Sequence, residues 1–526
     1  MKRRSFIKAA AAATPLITLG RATLRAGSTL EMMAQMPQDN DRILVIIQLF
    51  GGNDGLNNII PVNDDNYYKL RPNIGVKKID AYNGIGDVYL HPSLAKGDPA
   101  LVPKGMAGML EAGSLAIVQG VGYEKPNLSH FRSTDIWLSG LNISDPDVRL
   151  DTGWVGRTLE KMYPDFPASL PVHPLAVQFS GFSLALMSNK GRMGIEVADP
   201  SAQKGVGSSI DSLDVESNGT NYKVEYDFVA DIAKRSNQYA QAVKDAYAKG
   251  KDLIKGWSNS SSLGTQMQSV ASLIAGGLKT KVYVVSMGGF DNHYNQQQDI
   301  KTGLHPTLLE RISDSVAQFN YQMTKLGHAD KVVGITVSEF GRRPQENGSY
   351  GTDHGAASVQ FVFGKKVNGG IFGSAPDLKN FDNNGDLRYQ IDYRRVYAEI
   401  ISEWFGLSLT DARTVLKDDS IIPLDVLQTP TGVDSNSSNN LSTSILGASP
   451  NPFKKNSTIE FFMERAGEAQ IEISSIEGRK IALLKKDYFT SGSHKLNMNM
   501  DLPQGSYLLV LNSGGKMSSK VIHCIR

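Results

Sequence analysis

Cysteine is nearly missing from this 526-residue chain: Cys524, two residues from the end, is the only one. A single thiol excludes an intramolecular disulfide, a cysteine-built zinc knuckle and a buried cysteine nucleophile. Any metal must therefore sit on histidines and carboxylates. Net charge is also slight. Lys and Arg total 55 against 53 Asp and Glu, a formal +2, which gives no global field to steer nucleic acid, and no nucleic-acid partner is expected. Beyond its start the chain has no long apolar run. With 40% hydrophobic and 21% charged residues the composition is that of a folded globular protein, and the length asks for two or three units.

What the sequence does have begins at residue 2. Lys2-Arg3-Arg4-Ser5-Phe6-Ile7-Lys8 precedes an Ala-rich apolar stretch, Ala9 to Leu19, too short for an ordinary membrane-spanning helix and ordered like a signal peptide. The paired arginines resemble the twin-arginine motif, so residues 1–26 are read as a twin-arginine signal peptide. The twin-arginine translocase is then a partner, carrying the chain already folded into the periplasm. Export after folding favours a cargo that is loaded with metal in the cytoplasm.

From Asp41 to about Gly406 short β-branched runs alternate with amphipathic stretches, the pattern of an α/β domain. Strands are expected at Arg42 to Leu49, Leu115 to Gln119, Pro174 to Phe179, Lys281 to Ser286, Lys331 to Val337 and Val359 to Phe363. Their continuous apolar character predicts a mostly parallel sheet covered by helices on both faces. Helical spacing marks Tyr226 to Tyr247, Gln266 to Leu278, Pro306 to Leu326 and Tyr393 to Phe405, with Gly406 as a stop. The α/β domain is assigned to 41–427. A Ser, Thr, Asn and Pro-rich stretch, 428–449, reads as a flexible linker. Residues 450–526 carry six short strand-like runs between turn signals, a small all-β sandwich.

Four segments place carboxylates or imidazoles just after predicted strands, where open α/β sheets bind ligands. Gly51-Gly52-Asn53-Asp54 offers a hard oxygen on a loop whose glycines also suit a plain turn. Gly289-Phe290-Asp291-Asn292-His293 sets an Asp and a His two apart, able to face one cation. In Ser338-Glu339-Phe340-Gly341-Arg342, Glu339 is a ligand and Arg342 an anion clamp, or the two form a structural ion pair. Gly351-Thr352-Asp353-His354-Gly355 suits a dinuclear oxygen and nitrogen site. Together Asp54, Asp291, His293, Glu339, Asp353 and His354 suit divalent metal, zinc or manganese, with ligands enough for two ions. Ser129, in Asn127-Leu128-Ser129-His130-Phe131-Arg132, stands where a nucleophile opens a helix, and equally where a serine simply caps one. His91, His173, His305 and His328 lack acidic neighbours and are taken as structural.

Two resemblances join these readings. Ser449-Pro450-Asn451-Pro452-Phe453, Ile476-Glu477-Gly478-Arg479-Lys480 and Leu502-Pro503-Gln504-Gly505-Ser506-Tyr507 resemble the C-terminal sorting domain of the Bacteroidota type IX secretion system. That implies type IX machinery as a partner and a cell-surface or extracellular destination. The segments around Asp54, Ser129, Gly153-Trp154-Val155-Gly156-Arg157, Asp291, Glu339 and Asp353 resemble, in order, the family called domain of unknown function 1501. That family is similar to the alkaline phosphatase and sulfatase superfamily, which implies an alkaline phosphatase-like core with two divalent metals. It also implies Ser129 as nucleophile, Arg342 (or Arg132) assisting, and Asp54, Asp291, His293, Glu339, Asp353 and His354 as the metal shell. Glu339 stands where an Asp-His pair is usual there, and Ser129 lacks a sulfatase-type Ser-x-Pro-x-Arg setting. The expected activity is metal-dependent hydrolysis of an anionic phosphate or sulfate ester; the alternative is a non-catalytic surface binding or structural protein retaining the fold.

Overall fold

The computed structural model describes residues 40–179, 183–203, 237–297, 299, 302–428, 444–449, 451, 453–463, 467–475, 479–489, 492–513 and 516–524. The signal at 1–26, most of the linker and the start of the helix expected at Tyr226 lie outside them. The chain divides into two compact units, Met1–Pro430 and Thr431–Arg526.

In the first unit every nominated strand forms. The sheet strands are β1 (Ile43–Leu49), β2 (Leu115–Gly122), β3 (Ala176–Gln178), β4 (Gly194–Glu196), β5 (Val282–Met287), β6 (Val332–Ser338), β7 (Ser358–Phe363), β8 (Gly370–Phe372) and β9 (Ile391–Asp392). Their spatial order is β8-β2-β7-β6-β1-β5-β3-β4, with β9 also beside β2. The central pairs β6-β1, β1-β5 and β5-β3 are parallel. β7 is the exception, antiparallel to both β6 and β2. The sheet is therefore mixed, though mostly parallel.

Helices α1 (Asp65–Leu70), α2 (Gly105–Glu111), α3 (His130–Ser139), α4 (Trp154–Met162), α5 (Ser262–Ala275), α6 (Leu304–Lys325), α7 (Arg394–Glu399) and α8 (Leu409–Leu416) accompany the sheet. β1 explains the two-sided cover. Its side chains alternate between faces: Val45 and Ile47 join the core under α2, α5 and α6, while Leu44 and Ile46 join the core under α3, α4, α7 and α8. Each such fully buried aliphatic contributes roughly 1.5–3 kcal/mol. On the second face Trp154 stacks on Tyr397 at 4.2 Å and Trp137 on Tyr393 at 4.4 Å, tying α4 and α3 to the segment around α7. The helix expected from Tyr393 to Phe405 is α-helical only to Glu399 and continues as a π-turn, Ile400–Trp404. Gly406, with φ +77°, stops it.

The strands of the second unit pair antiparallel: β10 (Ser444–Ser449), β11 (Asn456–Met463), β12 (Gly467–Ser475), β13 (Lys480–Phe489), β14 (Gly492–Asn499), β15 (Gly505–Ser513) and β16 (Lys516–Cys524). One sheet runs β10-β11-β14 and the other β13-β12-β15-β16. Ile459 and Phe461 from the first meet Ile471, Ile473, Leu509 and Ile522 from the second in one core, which makes the unit a sandwich. β10 falls inside the stretch read as linker. It is ordered because Ile445 is buried in that core and the strand pairs with β11.

Candidate metal centre

The carboxyl ends of β1, β5 and β6 lie side by side, and the loops that leave them are held together by glycine and by one arginine. Gly51 (φ +121°) follows β1; a Cβ there would stand 2.2 Å from the backbone nitrogen of Asp291. Only glycine lets the two loops approach so closely. Arg342, buried at 1% exposure, donates from Nε to the Gly52 carbonyl at 2.9 Å and from Nη1 to the Thr352 carbonyl at 2.8 Å. Its Nη2 reaches the carbonyls of Gly51 and Phe290 and, at 2.7 Å, Asp291 Oδ1. The guanidinium is thus committed to four carbonyls and one carboxylate, and its ion pair is with Asp291 rather than Glu339.

Around Asp291 stand three imidazoles. His130 Nε2 lies 3.4 Å from Asp291 Oδ2, and His293 Nε2 and His354 Nε2 lie 3.0 and 3.2 Å from Oδ1. Each imidazole turns its other nitrogen to an acceptor. His130 Nδ1 meets Glu339 Oε1 at 2.8 Å, His293 Nδ1 meets Asp353 Oδ1 at 3.1 Å, and His354 Nδ1 meets the Leu128 carbonyl at 2.9 Å. An acceptor at Nδ1 draws the N–H there and leaves Nε2 as the lone-pair nitrogen. Phe340 packs against His130 and His354, with ring centroids 4.8 and 4.5 Å apart, and fixes their planes.

Electrostatics match this arrangement. Burial alone would raise the Asp291 carboxyl, but Arg342, with His354 and His293, overrides it and holds the group at about 2. Asp353 is likewise lowered against the effect of its burial, by Asn347, His293 and Arg343. Burial keeps His354 below the usual imidazole range.

Of the expected ligands, Asp291, His293, Glu339, Asp353 and His354 come together here. Asp54 does not join them. It is buried and pairs with Arg71, Nη1 to Oδ2 at 2.7 Å and Nη2 to Oδ1 at 3.0 Å, and accepts from Gln296 Nε2 at 2.5 Å. Burial would raise its carboxyl, yet Arg71 with its hydrogen bonds, His305 and Gln296 leave it lowered. Ser129 occupies the position before α3, but its side chain makes no capping bond; its backbone N–H donates to Asn127 Oδ1 at 2.9 Å. The capping role read as one alternative is therefore not what its hydroxyl does. Arg132 is turned away, donating to the carbonyls of Val148 and Ile143.

Two residues were missed. His130 was passed over in favour of its neighbour, although an imidazole beside the singled-out Ser129 in Asn127-Leu128-Ser129-His130 was signal enough. Arg71 carried no signal at all, because its partner is known only once the chain folds. Among the described residues, His130, Asp291 and His354 form a group whose ligand atoms all lie within 4.8 Å of one another. Ligands about 2.0–2.2 Å from a shared ion stand at most about 4.4 Å apart, so the group lies close to, and slightly wider than, the spacing one ion would draw it to.

Residues 231–418 match the family described as protein of unknown function DUF1501, a span that holds Asp291, His293, Glu339, Arg342, Asp353 and His354 but not Asp54, Ser129 or His130. Residues 449–524 match the secretion system C-terminal sorting domain. No curated protein matches the chain. Among solved structures, dimeric latent PorU from Porphyromonas gingivalis is 20% identical over 18% of this chain, with a TM-score of 0.14; the match spans only 10% of PorU's length. An alkaline phosphatase superfamily protein from Vibrio parahaemolyticus is 10% identical, covering 100% of this chain and 91% of its own, with a TM-score of 0.30. The PsFucS1 sulfatase from Pseudoalteromonas sp. is also 10% identical, over 90% and 88% of the two chains, with a TM-score of 0.30. Over residues 231–418 the α/β unit is similar to the DUF1501 family of proteins of unknown function, and over residues 449–524 the sandwich is similar to a secretion sorting domain, the kind of tail that marks a protein for export.

Proposed function

We propose that this exported protein is a metal-dependent hydrolase of phosphate or sulfate esters, working at the cell envelope or surface on an alkaline phosphatase-like α/β unit. One observation carries the reading: three imidazole Nε2 atoms converge on the Asp291 carboxylate while each Nδ1 is tied to an acceptor. Histidines that hold metal almost always donate their second N–H to a carboxylate or carbonyl in this way.

On this reading His130, Asp291, His293 and His354 hold a divalent ion, and a set of three nitrogens and one oxygen suits zinc. Such an ion would polarise an ester oxygen and neutralise charge that develops on it. Glu339 and Asp353, expected as ligands, instead orient His130 and His293. Arg342 acts through Asp291, holding its Oδ1 in place, because its other donors are spent on backbone. Ser129, exposed and with its hydroxyl uncommitted among the described residues, supplies the oxygen nucleophile. Asp54 supports the β1 loop through Arg71. The twin-arginine translocase takes the folded protein to the periplasm, and the type IX machinery takes it onward.

A panel of aryl phosphates and aryl sulfates tests this with the full chain. Turnover of one ester class, reduced at least 100-fold in Asp291→Asn and in Ser129→Ala, is the expected result; turnover unchanged in both variants contradicts it. A second reading, a metal-bearing surface protein without turnover, is favoured by one feature: the Ser129 hydroxyl makes no capping bond and, among the described residues, no hydrogen bond to an imidazole base. Bound metal with no hydrolysis of any ester would select it.

A further inference from the structure

Exposed aromatic side chains are not spread evenly over the first unit. Among its described residues five are exposed to water: Phe50, Phe131, Tyr294, Tyr350 and Tyr389. All five stand at the end of the sheet that carries the candidate metal centre. Phe50 follows β1, Phe131 lies in the first turn of α3, and Tyr294 and Tyr350 belong to the loops that bring in His293 and Asp353. Tyr389 precedes β9, and a Cβ on Gly122 would meet its Cβ at 2.8 Å. Gly122 ends β2, which runs the same way as β1 because β7 is antiparallel to both β2 and β6. Exposed apolar residues scattered singly are ordinary, but aromatic surface gathered at one end marks a contact site.

Three of the rings border the imidazole cluster. Phe131, 88% exposed, follows His130; Tyr294, 61% exposed, follows His293; Tyr350, 53% exposed, precedes Gly351-Thr352-Asp353. Neighbouring Cα atoms stand about 3.8 Å apart, so the first two rings are rooted beside an imidazole. Two backbone bonds tie the last two loops together, from the Asn295 N–H to the Ser349 carbonyl at 3.0 Å and from the Gln296 N–H to the Tyr350 carbonyl at 2.9 Å. They hold Tyr350 at φ +57°, a left-handed conformation that glycine adopts freely and a bulky side chain only at a cost. A tyrosine kept there, with its ring reaching water, points to a use for the ring.

Such rings recognise a flat partner. An aromatic side chain turns about only two bonds and offers a broad apolar face, so it stacks on another ring at small entropic cost. We propose that Phe131, Tyr294 and Tyr350 form a stacking rim around the metal centre, and that the group esterified to the anion is a flat ring, a sugar or an aryl group. The ester rests on the hydrolase reading above; the ring rests on the rim alone.

Inert anions separate the two. Phosphonates and sulfonates carry a carbon bond that hydrolysis does not break, so calorimetric titration of the full chain, purified without chelator, reads binding without turnover. The ring-bearing probes are phenylphosphonate, benzenesulfonate and a glucose with a sulfonate at its primary carbon; methylphosphonate and methanesulfonate are their ring-free partners. Wild type is compared with Phe131→Ala/Tyr294→Ala, which alters two side chains that reach water, and with Tyr350→Gly, which removes a ring and relieves the backbone. Circular dichroism checks that both variants are folded. Expected is binding of at least one ring-bearing anion about tenfold or more tighter than its ring-free partner, an advantage lost in the double variant and reduced in Tyr350→Gly. Preference between benzenesulfonate and the sugar sulfonate assigns the ring. Equal affinity for ring-bearing and ring-free anions, no binding of any of them, or an advantage kept in full by both folded variants overturns the proposal. Ring preference without turnover of any ester leaves the rim in place and removes the hydrolase reading; turnover without ring preference does the reverse.

Discussion

His293 Nε2 lies 3.0 Å from His354 Nε2, although both rings already give their Nδ1 side to other acceptors, Asp353 and the Leu128 carbonyl. Two lone-pair nitrogens at that separation repel unless a proton or a metal ion lies between them. Asp291, 3.0 and 3.2 Å from the same two atoms, adds the negative charge that makes a cation welcome there.

Glu339 separates ligand from orienter. Its Oε1 receives His130 Nδ1 at 2.8 Å and the Gly51 N–H at 2.7 Å, which leaves that oxygen fully occupied. Glu339→Gln keeps an acceptor but removes the charge, and metal affinity should fall about 10- to 100-fold without being abolished. Competition with a chelator measures this. Complete loss of metal would make Glu339 a direct ligand.

Asp54 should behave as a structural anion. It and Arg71 are 3% and 0% exposed in their side chains, and removing one partner strands the other's charge. Asp54→Asn is expected to cost about 3–5 kcal/mol in denaturant unfolding, while the folded fraction still binds metal. Unchanged stability with lost metal would return Asp54 to the ligand set.

Gly51→Ala tests the approach of the two loops. The new methyl meets the backbone of Phe290 and Asp291 within 3 Å, at a φ of +121° that side chains avoid. Displacing Asp291 should weaken metal binding at least tenfold, alongside a loss of stability of about 1–3 kcal/mol. Metal affinity equal to wild type would show that the Asp291 loop is not held from β1.

Glu399 gives the α/β unit a pH dependence. It is buried at 2% exposure and accepts from the Asp425 and Leu427 N–H groups. Burial foremost, against those two bonds, lifts its carboxyl from the ordinary 4.5 to about 7. Below 4.5 it is protonated folded or unfolded and contributes no slope. Between 4.5 and 7 the folded state keeps a proton the unfolded state releases, so stability falls as pH rises through that window, by at most about 3 kcal/mol. In Glu399→Gln the drop in Tm from pH 4.5 to 7.5 should be smaller than in wild type; an identical drop assigns the slope to other groups.

The strands were legible because they are short β-branched runs buried on both faces: β1, β3, β5, β6 and β7 appear within two residues of where the sequence places them, and β2 runs three residues further. The direction of β7 was not legible. A buried antiparallel strand has the same apolar composition as a parallel one, and only the register against β6 distinguishes them. The site was half legible for a similar reason. Asp291 and His293 follow β5, and Asp353 and His354 precede the antiparallel β7 of the same sheet, so reading the strands located them. Whether a carboxylate points at the centre, as in Asp291, or at a partner such as Arg71, as in Asp54, depends on a contact 17 residues away that sequence spacing does not encode.

The most direct test is the metal content of the full chain, grown with ample metal, purified without chelator and compared with His130→Ala, Asp54→Asn and Ser129→Ala. Near-stoichiometric divalent metal, zinc foremost, is expected in wild type, in Ser129→Ala and in the folded part of Asp54→Asn, and its loss in His130→Ala. A metal-free wild-type protein, or a His130→Ala variant that keeps its metal while Asp54→Asn loses it, would contradict the centre described here.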